Sequence, residues 1–255
     1  MTSPLFTGVG VALVTLFSDD GSLDAAATAA HAARLVELGV QAVVVAGSTG
    51  EAAALDSGER LALLAAVREA VPAGVPLIAG TGAPSARQAV ALTAAAADHG
   101  ADGVLAASPP FAADPRPYYD AVAKAAGSVP VLAYHWPAVS PPGIDLAMLA
   151  DLPVAGLKDS TGDAERLLAE LGAWTGPVYV GSSSLLAMAG LVGAAGAILA
   201  LANAEPEACA AAFAGDGGAQ RRLAPAHFAA SGAFPRGIKE LTAKRFGTSS
   251  TARMG

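Results

Sequence analysis

Pro153-Val154-Ala155-Gly156-Leu157-Lys158-Asp159-Ser160-Thr161-Gly162 holds in one short stretch the pattern that organises the whole chain. The apolar run Val154-Lys158 has the length of a buried strand, small hydroxyl residues turn the chain after it, and Asp163 stands as the cap of a helix rich in Ala and Leu. That is one βα unit. Equivalent apolar runs precede it at Val9-Thr15, Ala42-Ala46, Val75-Ala79, Gly103-Ala107 and Val129-Tyr134, and follow it at Val178-Gly181 and Ala197-Leu201. The Ala-rich segments between them carry polar residues at helical spacing, with Asp24, Ser57 and Ser85 as further caps and Gly39 and Gly100 as stops. Eight strands alternating with helices predict an α/β fold, a closed (β/α)8 TIM barrel, for which 255 residues is an ordinary length. The rhythm is lost after Glu205. Residues 1–215 are therefore expected to form the barrel domain and 216–255 a short C-terminal helical extension. Asp216-Gly217-Gly218 reads as a flexible joint leading to short amphipathic segments near Leu223-Ser231 and Gly237-Phe246, and the chain after Thr248 is expected to fray.

Composition narrows the function. Hydrophobic residues make up 53% of the chain, aromatic ones 5% and charged ones 15%, enough apolar material for a large core of Ala, Val and Leu. The net charge is −7 and the basic residues are scattered, which argues against a nucleic-acid partner. The run Leu185-Ala202 lacks charge over the length of a membrane span, but Gly190, Gly193 and Gly196 divide it as a helix and a buried strand would be divided, so no membrane partner is expected. Cys209 is the single cysteine, in keeping with a reducing, cytoplasmic setting. His31, His99, His135 and His227 do not stand at metal-ligand spacing, and no glycine-rich phosphate loop occurs. Neither a metal nor an organic cofactor is implied.

In a barrel of this kind chemistry gathers where the strands end. The chain has lysines at 124, 158, 239 and 244, and Lys158 alone closes an apolar strand. A lysine there loses hydration, which favours the neutral amine that attacks a carbonyl; the alternative is a structural ion pair with Asp159 or another carboxylate at the mouth. Tyr134, at the end of the fifth run, is either a proton-transferring phenol or a packed ring with its hydroxyl in water. His135 follows it on a strand and must face the other way, so it reads as structural. The turn Gly47-Ser48-Thr49-Gly50-Glu51 presents two hydroxyls beside free N–H groups, suited to a carboxylate or simply to a tight turn. Gly181-Ser182-Ser183-Ser184 is equally a grip for a phosphate or a sugar-acid hydroxyl and a helix cap.

Taken in this order and spacing, Gly47 to Glu51, Tyr134 with His135-Trp136-Pro137, and Gly156-Leu157-Lys158-Asp159 resemble the dihydrodipicolinate synthase and N-acetylneuraminate lyase family, the class I pyruvate-dependent aldolases, over nearly the whole chain. The resemblance implies that Lys158 forms the Schiff base and Tyr134 transfers protons. It further implies that Ser48 and Thr49 hold the pyruvate carboxylate and assist Tyr134 through a hydroxyl, with Gly181 and Ile198 lining the pyruvate pocket. It implies a homodimer or homotetramer as well. Two departures stand out. Val139 occupies the position where dihydrodipicolinate synthases carry an arginine, and Phe111 replaces their relay tyrosine, which crosses a subunit contact. The section between Asn203 and Gly237 is also shorter than is usual for the family.

The expected activity is thus that of a carbon-carbon lyase cleaving a 4-hydroxy-2-oxo acid, such as a 2-keto-3-deoxy sugar acid, to pyruvate and an aldehyde, closer to the sugar-acid aldolases than to dihydrodipicolinate synthase. Without an arginine at 139, neutral aldehydes such as glyceraldehyde are expected to outcompete aspartate semialdehyde, using hydroxyls at Ser140, Ser182 or Ser183. The competing readings are dihydrodipicolinate synthase itself, a dehydratase or decarboxylase using the same imine, and a non-catalytic metabolite-binding barrel.

Overall fold

A computed structural model describes residues 3–254. Eight parallel strands, β1 (Gly8–Ala12), β2 (Ala42–Val45), β3 (Leu77–Gly80), β4 (Gly103–Ala107), β5 (Val131–His135), β6 (Gly156–Asp159), β7 (Val178–Val180) and β8 (Gly196–Leu199), pair in chain order, and β8 returns to β1 to close the barrel. Helices α1 (Ala25–Glu37), α2 (Ser57–Ala70), α3 (Ala86–Asp98), α4 (Arg116–Ala126), α5 (Leu146–Leu149), α6 (Ala164–Ala173), α7 (Leu186–Leu191) and α8 (Pro206–Phe213) follow the successive strands. Two more, α9 (Gly217–Gly232) and α10 (Arg236–Phe246), follow as C-terminal helices.

The period of two along each strand builds both sides of the wall. Ala42 and Val44 point into the barrel with Phe6, Ile78, Leu105, Leu132, Tyr134, Tyr179 and Ile198, whereas Val43 and Val45 point outward and pack beneath the helices. The interior is thus a filled core topped by the tyrosine, not a pore. Apolar runs longer than their strands continue for tertiary reasons. After Ala12 the N–H of Val14 donates to the Asn203 side chain and that of Leu16 to the Thr28 hydroxyl, so the backbone leaves the sheet while its side chains stay buried. The fifth strand starts at Val131 instead of Val129, because Pro130 has no N–H to offer a ladder.

Three local expectations are corrected. The cap of α2 is Asp56, not Ser57: its carboxylate accepts from the Glu59 N–H while the Glu59 side chain accepts from the Asp56 N–H, a reciprocal box. Asp216 is not a flexible joint but the cap of α9, its carboxylate taking the N–H groups of Gly218 and Ala219. Residues 249–254 do not fray, because Arg253 inserts its guanidinium between Glu59 and the carbonyls of Gly21 and Ala54. The uncharged run 185–202 is divided into α7, β8 and a turn of 3-10 helix at Leu201–Asn203, and among the described residues no helix is long and apolar enough to cross a membrane.

Candidate active site

Lys158 and Tyr134 stand opposite each other in the register of β5 and β6, and both point into the barrel mouth. The lysine is 5% exposed, and its Nζ lies 4.3 Å from the centroid of the Tyr134 ring. Burial lowers its pKa from 10.5 to about 7. The ion pair with Asp159 that the sequence left open does not form, because alternation turns Asp159 to the other face, where Arg166 takes its carboxylate at 3.1 Å and Glu170 at 2.8 Å. Lys158 is therefore a desolvated amine held against an aromatic face, with a large neutral fraction near pH 7.

Burial pushes the Tyr134 phenol up to about 12, while the hydroxyls of Ser160 and Ser48 beside it pull the other way. Ser160 escaped the sequence reading. The signal was present: two residues beyond Lys158, it shares the lysine's face by simple alternation. The adjoining Gly181 has no room for a side chain, since a Cβ would stand 1.8 Å from the Ser160 Oγ and 3.0 Å from the Lys158 Cε. Ile198 is buried in the interior cluster with Tyr134, while Ser182 pairs with the Ser184 hydroxyl at 2.8 Å on the rim. His135 faces away, as alternation requires. Its Nδ1 accepts the Ile144 N–H at 2.8 Å, and burial lowers its pKa to about 4.

The turn from Gly47 to Glu51 is the most constrained segment of the mouth. Ala46 and Glu51 both hold positive φ, 51° and 56°, and Gly80 lies so close beneath that a Cβ there would meet the Ala46 carbonyl oxygen at 2.1 Å. The strain is held by a buried cluster. The fully buried carboxylate of Glu51 pairs with the equally buried ammonium of Lys239 on α10, and its Oε2 accepts the N–H groups of Arg253 at 2.7 Å and Met254 at 2.6 Å. Lys239 also donates to the Thr251 carbonyl at 2.6 Å, and both Lys239 and Arg253 lie over the Phe17 ring. Ser48 and the buried Thr49 thus sit on a rigid loop tied from behind by the C-terminal residues.

Beside this turn opens a cavity of about 950 Å3, bounded by Ser48, Ala107, Pro110, Trp136, Val139 and Phe234 among others. Trp136 stacks on Tyr134 with ring centroids 6.1 Å apart and meets Phe234 edge-on at 5.6 Å. Val139 is 54% exposed on its rim. Among the described residues no three His, Cys, Asp or Glu side chains gather as they would to hold a metal ion. A near-neutral amine, a phenol with two hydroxyl neighbours and a rigid hydroxyl-bearing turn form a site that can condense with a carbonyl and move a proton next to it.

The sequence pattern of the dihydrodipicolinate synthetase family matches residues 5–221. The chain belongs to that family. As a family member it is a lyase. A DapA-like lyase of Halobacterium salinarum is 41% identical over 209 residues, covering 78% of this chain and 68% of the relative. A probable mitochondrial 4-hydroxy-2-oxoglutarate aldolase of Emericella nidulans is 35% identical over 225 residues, covering 81% and 72%. Among solved structures, the family member YagE from E. coli K12, in complex with pyruvate, superposes with a TM-score of 0.89 at 26% identity, covering 98% of this chain and 92% of the other.

Proposed function

We propose that this member of the dihydrodipicolinate synthetase family is a Schiff-base aldolase that reversibly cleaves a 4-hydroxy-2-oxo acid to pyruvate and an aldehyde. The observation that carries the reading is Lys158, a buried amine brought to about pH 7 by desolvation alone and set 4.3 Å from the ring of a buried tyrosine. In this reading the neutral amine adds to the 2-oxo carbon and water leaves as the imine forms. The protonated imine then takes the electron pair of the C3–C4 bond as it breaks. Tyr134 accepts the proton of the C4 hydroxyl, the resulting enamine is reprotonated at C3, and hydrolysis frees pyruvate and the lysine.

The high pKa of Tyr134 is consistent with this role. A phenol near 12 stays protonated in the free enzyme, but an iminium cation formed beside its ring lowers the cost of the phenolate, and Ser48 and Ser160 stand ready to hydrogen-bond it. Basicity of the tyrosine is thereby coupled to the imine. Ser48 and Thr49 take the carboxylate of the keto acid on the rigid turn, and Gly181 and Ile198 line the space for its methyl group. The 4-hydroxy-2-oxoglutarate aldolase among the relatives supports aldol cleavage.

The test is reduction with borohydride in the presence of pyruvate, followed by peptide mass spectrometry. The expected result is one reduced adduct on the peptide carrying Lys158 and irreversible loss of activity. An adduct on Lys124, Lys239 or Lys244, or none at all, overturns the proposal.

A further inference from the structure

We infer that the aldehyde taken by this enzyme carries an apolar body, aryl or alkyl, in place of a carboxylate or a chain of hydroxyls. The inference rests on the aldolase reading and narrows it to a substrate class. Its starting point is the aromatic wall that leads from the lysine outward: Lys158 over Tyr134, Tyr134 stacked on Trp136, and Trp136 edge-on to Phe234. In the synthetic direction the new bond joins C3 of the pyruvate enamine to the aldehyde carbon, the aldehyde oxygen takes the Tyr134 proton, and water then releases the 4-hydroxy-2-oxo acid from Lys158. An aldehyde placed for that step has its carbonyl at Tyr134. Its remaining atoms project along Trp136, which with Ser48 and Ala107 also lines the neighbouring cavity of about 950 Å3, within the size range of small-molecule sites; Lys158 and Tyr134 do not themselves line it.

The walls include Ala83, Ala107, Pro110, Trp136, Val139 and Phe234; Asp56, Ser57 and Gln88 line the cavity as exposed residues, and its less exposed polar groups are largely spoken for. Arg60, the cation of the lining, gives its guanidinium N–H groups to the carbonyls of Leu55, Gly80 and Ala52. Thr81 pairs with Thr93 at 3.0 Å, and the Ser140 hydroxyl donates to the Ser108 carbonyl. Of the hydroxyls that the sequence offered to a sugar-like acceptor, Ser183 contacts the His227 ring at 2.8 Å and Ser182 pairs with Ser184, and neither lines this cavity. One buried lining hydroxyl, that of Ser108, has no partner. Such a cavity strips water from a hydroxylated or anionic acceptor and returns few hydrogen bonds, so each extra polar group is a penalty. An aryl or alkyl group suffers none, and a ring stacks on Trp136.

The experiment measures kcat/KM for benzaldehyde, hexanal, glyceraldehyde and aspartate semialdehyde at saturating pyruvate, with products identified by mass spectrometry. Benzaldehyde or hexanal is expected to exceed both polar aldehydes at least fivefold, and Val139→Arg is expected to move selectivity toward aspartate semialdehyde about tenfold. A smaller margin, or a preference for either polar aldehyde, overturns the inference. Borohydride trapping with pyruvate alone is run alongside. Trapping at Lys158 with the wrong order of aldehydes removes only the inference, whereas failed trapping removes the aldolase reading and the inference with it.

Discussion

Replacing Lys158 by methionine should make the protein more stable and inactive at once, and the gain should depend on pH in a calculable way. Burial takes the lysine from 10.5 to about 7, which corresponds to on the order of 5 kcal/mol of differential solvation between its two protonation states. Between those values the unfolded chain holds a proton that the folded chain lacks, so raising the pH through this window stabilises the parent. Below pH 7 the folded parent must carry a charged, desolvated ammonium. Methionine has similar length, no charge and no such cost. After relaxation of the site, about 2 to 4 kcal/mol should be recovered at pH 6, which for a chain of this size is a rise of roughly 4 to 16 °C in Tm. Thermal unfolding of parent and variant by circular dichroism at pH 6, 8 and 9.5 measures it, since the difference between the two chains cancels the titration of other groups. The advantage of Lys158→Met should be largest at pH 6 and shrink toward pH 10. A difference that stays constant over this range, or a variant less stable at pH 6, would refute the argument that burial tunes the amine.

Tyr134→Phe should still give the borohydride-trapped pyruvate adduct while kcat falls roughly 10²- to 10⁴-fold, because the phenol moves a proton and contributes less to binding; unimpaired turnover assigns the proton elsewhere. Arg253→Ala removes the pair with Glu59 and the stack on Phe17. It should raise KM for pyruvate several-fold, leave kcat close to the parent value and lower stability by about 1 to 2 kcal/mol in urea unfolding. An unchanged KM would detach the C-terminal residues from the turn at 47–51. A homodimer or homotetramer is expected by light scattering at micromolar concentration. Phe111, 87% exposed and held at a φ of 65°, is the residue on which association should depend, so Phe111→Ser should weaken it. A monomeric parent contradicts this.

Much of the fold was legible because a barrel is assembled from local rules. Each strand is a short apolar run with a capped helix behind it, and period-two alternation alone separates Lys158 and Tyr134, which face the mouth, from Asp159 and His135, which do not. What stayed hidden was set by partners distant in sequence. Nothing near Ser140 or Ser183 announces that their hydroxyls contact the Ser108 carbonyl and the His227 ring. No local pattern pairs Glu51 with Lys239. Asp56 was missed for a different reason: the D-x-x-E spacing to Glu59 was there to be seen, but the adjacent Ser57 masked it.

The carboxylate of Glu51 reaches across 202 and 203 residues of sequence to the N–H groups of Arg253 and Met254, and Arg253 reaches across 194 to Glu59. Among the described residues such contacts close the longest loops, and the entropy of closing them is offset only once the barrel between them has formed. The strained turn at 46–51 should therefore become rigid late in folding. A copy lacking residues 251–254, or one nicked between α10 and Arg253, should keep eight paired strands and a buried Lys158 yet hold the turn at 46–51 slackly. One short stretch at residues 251–254 thus acts as a remote buttress for the candidate site, so that damage to it should be felt at the mouth before it is felt in the sheet.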